Sequence, residues 1–214
     1  MKRSFDNIAN SYALLESLMF GKSLQHAREY ALSAFDVTGT QKALLLGDGD
    51  GRFACRALQD NPLLKIDSID ISPSMLHCAK TRIQTSNPKL LARYNPINAN
   101  ALDHEYPLSH YDIVVTQFFL DCFKSNQANQ LIAQLETTIK PNGRFAYADF
   151  SIPQRRAWNF TSRFLVAILY HCFRLTTDIR ARRLPTLTWP ESLESETKTE
   201  FLKGLLTCEN RIKR

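Results

Sequence analysis

Apolar and polar positions change period repeatedly along the 214 residues. Phe5, Ile8, Ala9, Tyr12 and Leu15 recur at helical spacing and predict a helix over 4–17. A second helix is expected from Ser23 to about Ala34, with Leu24, Ala27, Ala31 and Ala34 on one face, and Gly39 then marks a turn. Lys42 to Leu46 is a short apolar run entering a glycine cluster, the pattern of a buried strand. Arg52 to Asp60 carries Phe53, Ala54, Ala57 and Leu58 at helical spacing. Leu64 to Ile69 predicts a second strand, ending at Asp70. Ser72-Pro73 is a helix start, a capping hydroxyl followed by proline at the first helical position.

Arg93 to Ile97 reads as a weaker strand and Tyr111 to Thr116 as a strong one. Leu131, Ile132, Leu135 and Ile139 give an amphipathic helix, and Pro141-Asn142-Gly143 turns the chain into a strand from Arg144 to Phe150. Strands alternating with helices imply an α/β domain, a mostly parallel sheet with helices on both faces. After Phe150 the pattern changes. Residues 154–176 read as a helical insertion dense in aromatics and arginines, Leu184 to Glu200 as a polar loop, and Phe201 to Ile212 as room for one last strand. The expected organisation is a single domain: N-terminal helices over 1–38, a ligand-binding core over 40–150, a helical and loop lid over 151–200, and a C-terminal strand over 201–214.

Composition changes this picture little. Hydrophobic residues at 44% and charged residues at 22% are ordinary for a globular domain and exclude collagen, disorder and a multi-span membrane protein. The most apolar uncharged run, Phe164 to Phe173, is too short to cross a bilayer, and no apolar core follows Met1-Lys2-Arg3 to make a secretory signal. Five dispersed cysteines without a C-x-x-C spacing argue against a disulfide framework or a metal site, and for a reducing cytoplasm.

Charge adds more. Residues 1–150 and 184–214 are each neutral, so the net +6 resides in residues 151–183, with seven arginines against Asp178. One basic segment in a neutral chain points to a local anionic partner rather than to general nucleic-acid binding.

Of only seven glycines, three stand at Gly47, Gly49 and Gly51, between a predicted strand and a predicted helix. Alternate glycines make a tight turn and let a ligand approach the backbone. The spacing is not that of a dinucleotide pyrophosphate loop, because Arg52 stands where the third glycine would fall. Asp48 and Asp50 in the loop repel phosphate and suit a cationic ligand. Asp70, at the end of the next strand, is placed to accept hydrogen bonds from ribose hydroxyls. Loop and acid together point to an adenosine-containing ligand at the C-terminal edge of the sheet.

Leu44-Leu45-Leu46-Gly47-Asp48-Gly49-Asp50-Gly51 resembles the first motif of class I S-adenosylmethionine-dependent methyltransferases, and Ile69-Asp70-Ile71-Ser72-Pro73-Ser74-Met75-Leu76 their ribose motif. Asn98-Ala99-Asn100-Ala101, Tyr111-Asp112-Ile113-Val114-Val115-Thr116 and Lys140-Pro141-Asn142-Gly143-Arg144 resemble the later motifs in order and spacing. The opening Phe5-Asp6-Asn7-Ile8-Ala9 with Tyr12 is similar to that of small-molecule methyltransferases of the ubiquinone/menaquinone type.

The resemblance implies the Rossmann-like fold of that class, S-adenosyl-L-methionine as cofactor and S-adenosyl-L-homocysteine as product. It implies that Gly47, Asp48, Gly49 and Gly51 face the methionine portion, that Asp70 holds the ribose, that Ile71 lies against the adenine, and that Asn100 and the Ala101 backbone read the adenine edge. Gln117 would lie near the sulfonium, and Tyr12 and Phe118 on the acceptor side. Two positions depart from the pattern. Leu45 replaces the usual acid, leaving Asp48 or Asp50 to meet the methionine amino group. Asn100 replaces aspartate, and its amide oxygen still accepts.

Asp121 and His171 are the candidate bases, each with a structural alternative: a helix cap for Asp121, a packed core position for His171. The arginines, Arg155 and Arg156 first, are expected to meet an anionic head group. Their aromatic neighbours form the wall of an acceptor site, a cover for the sheet, or a membrane-surface contact through 154–183. The expected function is methyl transfer to a small lipophilic or anionic acceptor. An RNA methyltransferase and a cofactor-binding protein without activity are the alternatives.

Overall fold

A computed structural model describes residues 23–151, apart from 37 and 40, and residues 184–214. The helix expected over 4–17 and the insertion over 154–176 lie outside the described residues, and with them Tyr12, Arg155, Arg156 and His171. Among the described residues no helix is long and apolar enough to cross a membrane.

Among the described residues one sheet is formed by β1 (Lys42–Leu46), β2 (Lys65–Asp70), β3 (Tyr94–Asn98), β4 (Tyr111–Gln117), β5 (Ile139–Phe150), β6 (Leu193–Phe201) and β7 (Leu206–Lys213). Their spatial order is β3-β2-β1-β4-β5-β7-β6. The first five are parallel, β7 runs antiparallel to β5, and β6 antiparallel to β7. From β1 the chain winds outward to β3 and then returns to β4 beside β1. That reversal opens a crevice at the C-terminal ends of β1 and β4, where such sheets bind ligands.

The helices are α1 (Ser23–Tyr30), α2 (Arg52–Asp60), α3 (Pro73–Ser86) and α4 (Ser125–Thr138). α1 tightens into a 3₁₀ turn over Ala31–Ala34, within the single helix the sequence predicts. α3 starts as expected, with Ser72 Oγ accepting from the Met75 N–H at 3.3 Å. One sheet face packs Phe53, Leu58 and Ile83 of α2 and α3 over Leu45, Ile66 and Val115. The other packs Leu131, Ile132 and Leu135 of α4 over Leu44, Val114 and Phe145. β1, β4 and the second half of β5 are therefore buried on both sides and read as hydrophobic runs, while β2 buries Asp67 and Ser68 and β3 is an exposed edge.

Two expectations change. The stretch Leu184 to Glu200 is not all loop, because β6 begins at Leu193, so two strands rather than one close the sheet. Leu193-Glu194-Ser195-Glu196-Thr197-Lys198-Thr199-Glu200-Phe201 is polar because β6 is an edge strand with most side chains exposed. The lid region expected over 151–200 thus contains an edge strand. Second, β5 starts at Ile139, before Pro141-Asn142-Gly143. Those residues form a bulge, with the register against β4 shifting between Tyr111 and Ile113 and with Asn142 at φ 61°.

Candidate active site

The loop between β1 and α2 forms one wall of the crevice. The Gly47 N–H donates to the Ile69 carbonyl at 3.0 Å, tying the loop to the end of β2. Gly47, Gly49 and Gly51 all have positive φ, at 67°, 64° and 78°. At Gly51 a methyl would stand 2.5 Å from the Ala79 Cα, so glycine is what lets α2 start against α3. Around Gly49 there is no atom within 4 Å of that position, and the backbone is open to a ligand.

The two loop aspartates separate. Asp50 is taken by Arg52 Nε at 2.9 Å and Arg82 Nη2 at 2.7 Å, so it faces two guanidinium groups. Asp48 turns inward, where its Oδ2 accepts from the Ala54 N–H in the first turn of α2 at 3.1 Å. Burial pushes the Asp48 carboxyl up to about 7, against that hydrogen bond, with Asp50 and Asp70 adding to the rise and Arg28 opposing it. Of the two loop carboxyls, Asp50 is the one held by guanidinium groups and Asp48 the one buried in the loop. Leu45, at the position of the missing acid, is a core residue 1% exposed.

Asp70 ends β2 with its Oδ1 accepting from the Ser72 N–H at 2.8 Å. Beside it Ile71 is 65% exposed, an apolar side chain left in solvent at the mouth of the crevice. Ala99 N–H donates to the Asp70 carbonyl at 3.2 Å, which brings Asn100 and Ala101 to the same edge. Asn100 is held within its own turn: its Nδ2 donates to Asp103 Oδ2 at 2.5 Å and its Oδ1 accepts from the Leu102 N–H at 3.2 Å. Ala101 is buried, its carbonyl accepting from the Tyr106 hydroxyl at 2.8 Å.

The opposite wall is the turn after β4. Gln117 does not reach across it; its amide donates to the Arg28 carbonyl of α1 at 3.0 Å. Phe118 has φ 52°, a left-handed conformation that costs a bulky residue about 1–3 kcal/mol. Its N–H donates to the Ala148 carbonyl at 2.8 Å, and its ring packs on Phe150 at 5.3 Å with the Arg28 guanidinium 5.2 Å from the centroid. These contacts offset the strain. Phe119 then turns back onto Gly47 and meets Phe123 edge-on at 5.1 Å.

Asp121 lies beneath this turn, 7% exposed, next to Asp149 at 2%. Asp149 accepts from the Asp121 N–H at 3.1 Å and from the Phe150 N–H at 2.9 Å, while the Cys122 thiol donates to Asp121 at 3.5 Å. Burial pushes Asp121 up to about 6, and burial with repulsion from Asp121 holds Asp149 well above the carboxylate range. The Asp121 carboxyl is thus enclosed within the turn, beside Asp149 and Cys122. Arg28, Phe119 and Asp149 are the site residues that sequence reasoning missed. Each stands far in sequence from its partner, and none belongs to a local motif.

Residues 44–145 match the family described as methyltransferase domain. The chain is 25% identical over 148 residues to the mitochondrial 2-methoxy-6-polyprenyl-1,4-benzoquinol methylase of Caenorhabditis elegans, covering 69% of this chain and 51% of that protein. It is 24% identical over 153 residues to the ubiquinone/menaquinone biosynthesis C-methyltransferase UbiE of Shewanella halifaxensis, covering 70% of this chain and 59% of that one. The chain thus spans about half the length of the first and three fifths of the second. In fold it is similar to the mitomycin 7-O-methyltransferase MmcR, with a TM-score of 0.68 at 18% identity over 99% of this chain and 61% of that one.

Residues 44–145 thus match a methyltransferase domain, and the strand order β3-β2-β1-β4-β5-β7-β6 with an antiparallel β7 is the sheet of the class I, S-adenosylmethionine-dependent methyltransferase fold. The chain's similarity to the quinone C-methyltransferases is distant.

The methyl donor of this class is S-adenosylmethionine, and the residues present fit it. Two of the three loop glycines leave their mark as an open backbone and a close helix contact. An acid ends β2 with an exposed apolar side chain next to it. The carboxyl turned into the loop is one whose ionised form lacks full compensation and would gain from a cation.

Proposed function

We propose that the protein transfers a methyl group from S-adenosylmethionine to a small, lipophilic acceptor seated over the β4–β5 end of the sheet edge. The observation that carries this reading is the aromatic turn after β4, with Phe118 on Phe150 and Phe119 against the glycine loop. In this reading it is an aromatic wall beside the donor, and rings there hold a cationic methyl group away from water. In this reading the Asp48 carboxylate takes the methionine ammonium, Asp70 the ribose hydroxyls, and Ile71 covers the adenine. Asn100 and the Ala101 backbone read the adenine edge.

When bound, the donor supplies an electrophilic methyl group. The chain's own residues orient the two reactants and keep the site dry. Asp121 is shut beneath the turn and takes no part as a base in this reading, which suits an acceptor that ionises readily or is electron-rich at the attacked atom, such as a phenol or quinol. The relatives named as benzoquinol and quinone methyltransferases support that acceptor class.

The arginine-rich stretch supports an anionic group on the acceptor. It leaves the described structure at Ser151, whose hydroxyl donates to the Gly204 carbonyl at 2.6 Å beside the end of β5. The chain is described again from Leu184, and the Thr186 N–H donates to Ser125 Oγ at the start of α4 at 3.0 Å. Arg155 and Arg156 are the acceptor contacts in this reading, on the charge of the stretch alone. The free thiols of Cys55, Cys78, Cys122 and Cys208 suit a reducing cytoplasm.

The test is incubation with methyl-tritiated S-adenosylmethionine and a lysate of the source organism, followed by extraction. Label in the organic phase is the expected result. Label in the acid precipitate that nuclease removes would replace this reading with RNA methylation. Binding of the donor with no transfer to any fraction would leave a cofactor-binding protein.

A further inference from the structure

Phe119 stands where the two walls of the crevice touch. A methyl built on Gly47 would lie 2.3 Å from Phe119 Cδ2, 3.0 Å from Cε2 and 3.1 Å from Cγ, so one side of the ring is in van der Waals contact with the Gly47 Cα. The same construction at Gly49 meets nothing within 4 Å. The ring therefore closes the Gly47 end of the loop and leaves the Gly49 end open.

Its position is built. Phe118 at φ 52° reverses the chain so that Phe119 faces the loop. The Phe118 N–H is tied to the Ala148 carbonyl, and Asp149 accepts from the Asp121 N–H two residues beyond the ring. Phe123 braces the ring edge-on at 5.1 Å with the planes at 74°. The neighbouring ring, Phe118, already has a cation, Arg28, 5.2 Å from its centroid. Phe119 is the ring of the pair that meets the loop.

We propose that Phe119 is a positioning residue for the methyl donor: it walls the methionine end of the cleft and offers an aromatic ring to the sulfonium. The protein then holds the charged donor in preference to its neutral thioether product. This rests on the reading of the Gly47–Gly51 loop as the donor site. Donor and product differ by one methyl and one positive charge on the same sulfur. An aromatic ring attracts that charge through its quadrupole, and an aliphatic side chain of similar size does not. Asp48, Asp70 and Arg28 also act on the charge, but they are unchanged when only the ring is replaced.

The experiment is calorimetric titration of the full chain with S-adenosylmethionine and, separately, S-adenosylhomocysteine, comparing wild type, Phe119→Leu and Phe119→Tyr. Phe119→Leu is expected to lower the preference for the donor over the product by about threefold to thirtyfold. Phe119→Tyr, which keeps the ring, is expected to retain the wild-type ratio. An unchanged ratio in Phe119→Leu, with both ligands weakened alike, would reduce the ring to packing and overturn the proposal. Tighter binding of both ligands would also overturn it, because the ring would then be an obstruction. Wild type that binds neither ligand would fail the donor-site reading itself. Binding of both by wild type separates the two failures. Melting curves check each fold, and Phe119→Met gives the same ratio test if Phe119→Leu does not fold.

Discussion

The two walls of the crevice are built on opposite principles. The loop after β1 is glycine-rich and polar, and it is set by local backbone geometry: three positive φ values, one open Cα and one close helix contact. The turn after β4 is aromatic, with a buried carboxyl pair beneath it, and is held by residues from β5 and α1. A donor that must be gripped along its length needs an exposed backbone and a few charges. An acceptor side that must exclude water needs rings, and rings need distant partners to hold them. The first wall is therefore written in a short motif, while the second is spread over more than a hundred residues of sequence.

If the polar wall grips the donor, breaking it should cost most. Asp70→Ala is expected to weaken S-adenosylhomocysteine binding by about a hundredfold or more, since two hydrogen bonds to a charged carboxylate contribute roughly 1.5–3 kcal/mol each. Titration calorimetry on a variant with a wild-type circular dichroism spectrum reads this directly. Unaltered affinity would mean that the wall is merely a turn.

The aromatic wall should instead report on folding. The carboxyl of Asp121 is raised from 3.8 to about 6 in the folded protein. Between those values the unfolded chain has lost the proton that the folded protein keeps, so stability falls as pH rises. Asp121→Asn cannot titrate. It should flatten that part of the stability curve. Urea unfolding of both proteins across that range measures the difference, in which Asp121 and its partner Asp149 count together while the distant carboxyls cancel. Parallel curves would show that the pair beneath the turn is not under strain.

The smallest effect sharpens the comparison on the polar side. Asp48 is raised to about 7, and a methionine ammonium prefers its ionised form. Affinity for S-adenosylhomocysteine should therefore fall below pH 7, by up to about tenfold for each pH unit, as the carboxylate takes up a proton. Asp48→Asn should bind more weakly at pH 8 and lose the slope. A slope that survives the substitution would move the amino group to another partner.

The centre of the sheet was legible because β1, β4 and the second half of β5 are buried on both faces. β1 matches the predicted Lys42 to Leu46, and α2 the predicted Arg52 to Asp60. A polar edge strand such as β6 carries no such signal, since its face is solvent and only β7 makes it a strand. In the crevice, the places of Gly47, Gly49, Gly51 and Asp70 were readable because a glycine turn is set by its own backbone and Asp70 by the end of its own strand. The motif did not say which loop aspartate turns inward; Arg52 and Arg82 decide that by holding Asp50.

The sequence by itself determined the parallel core, the glycine loop and the acid after β2, because local sterics and the periodicity of burial act within a few residues. Tertiary structure alone decided that Gln117 turns to α1, that Asp121 goes under its turn to meet Asp149, and that Phe119 lies on Gly47. Those contacts join residues 89, 28 and 72 positions apart. Only the closed sheet and its packed helices bring such positions together.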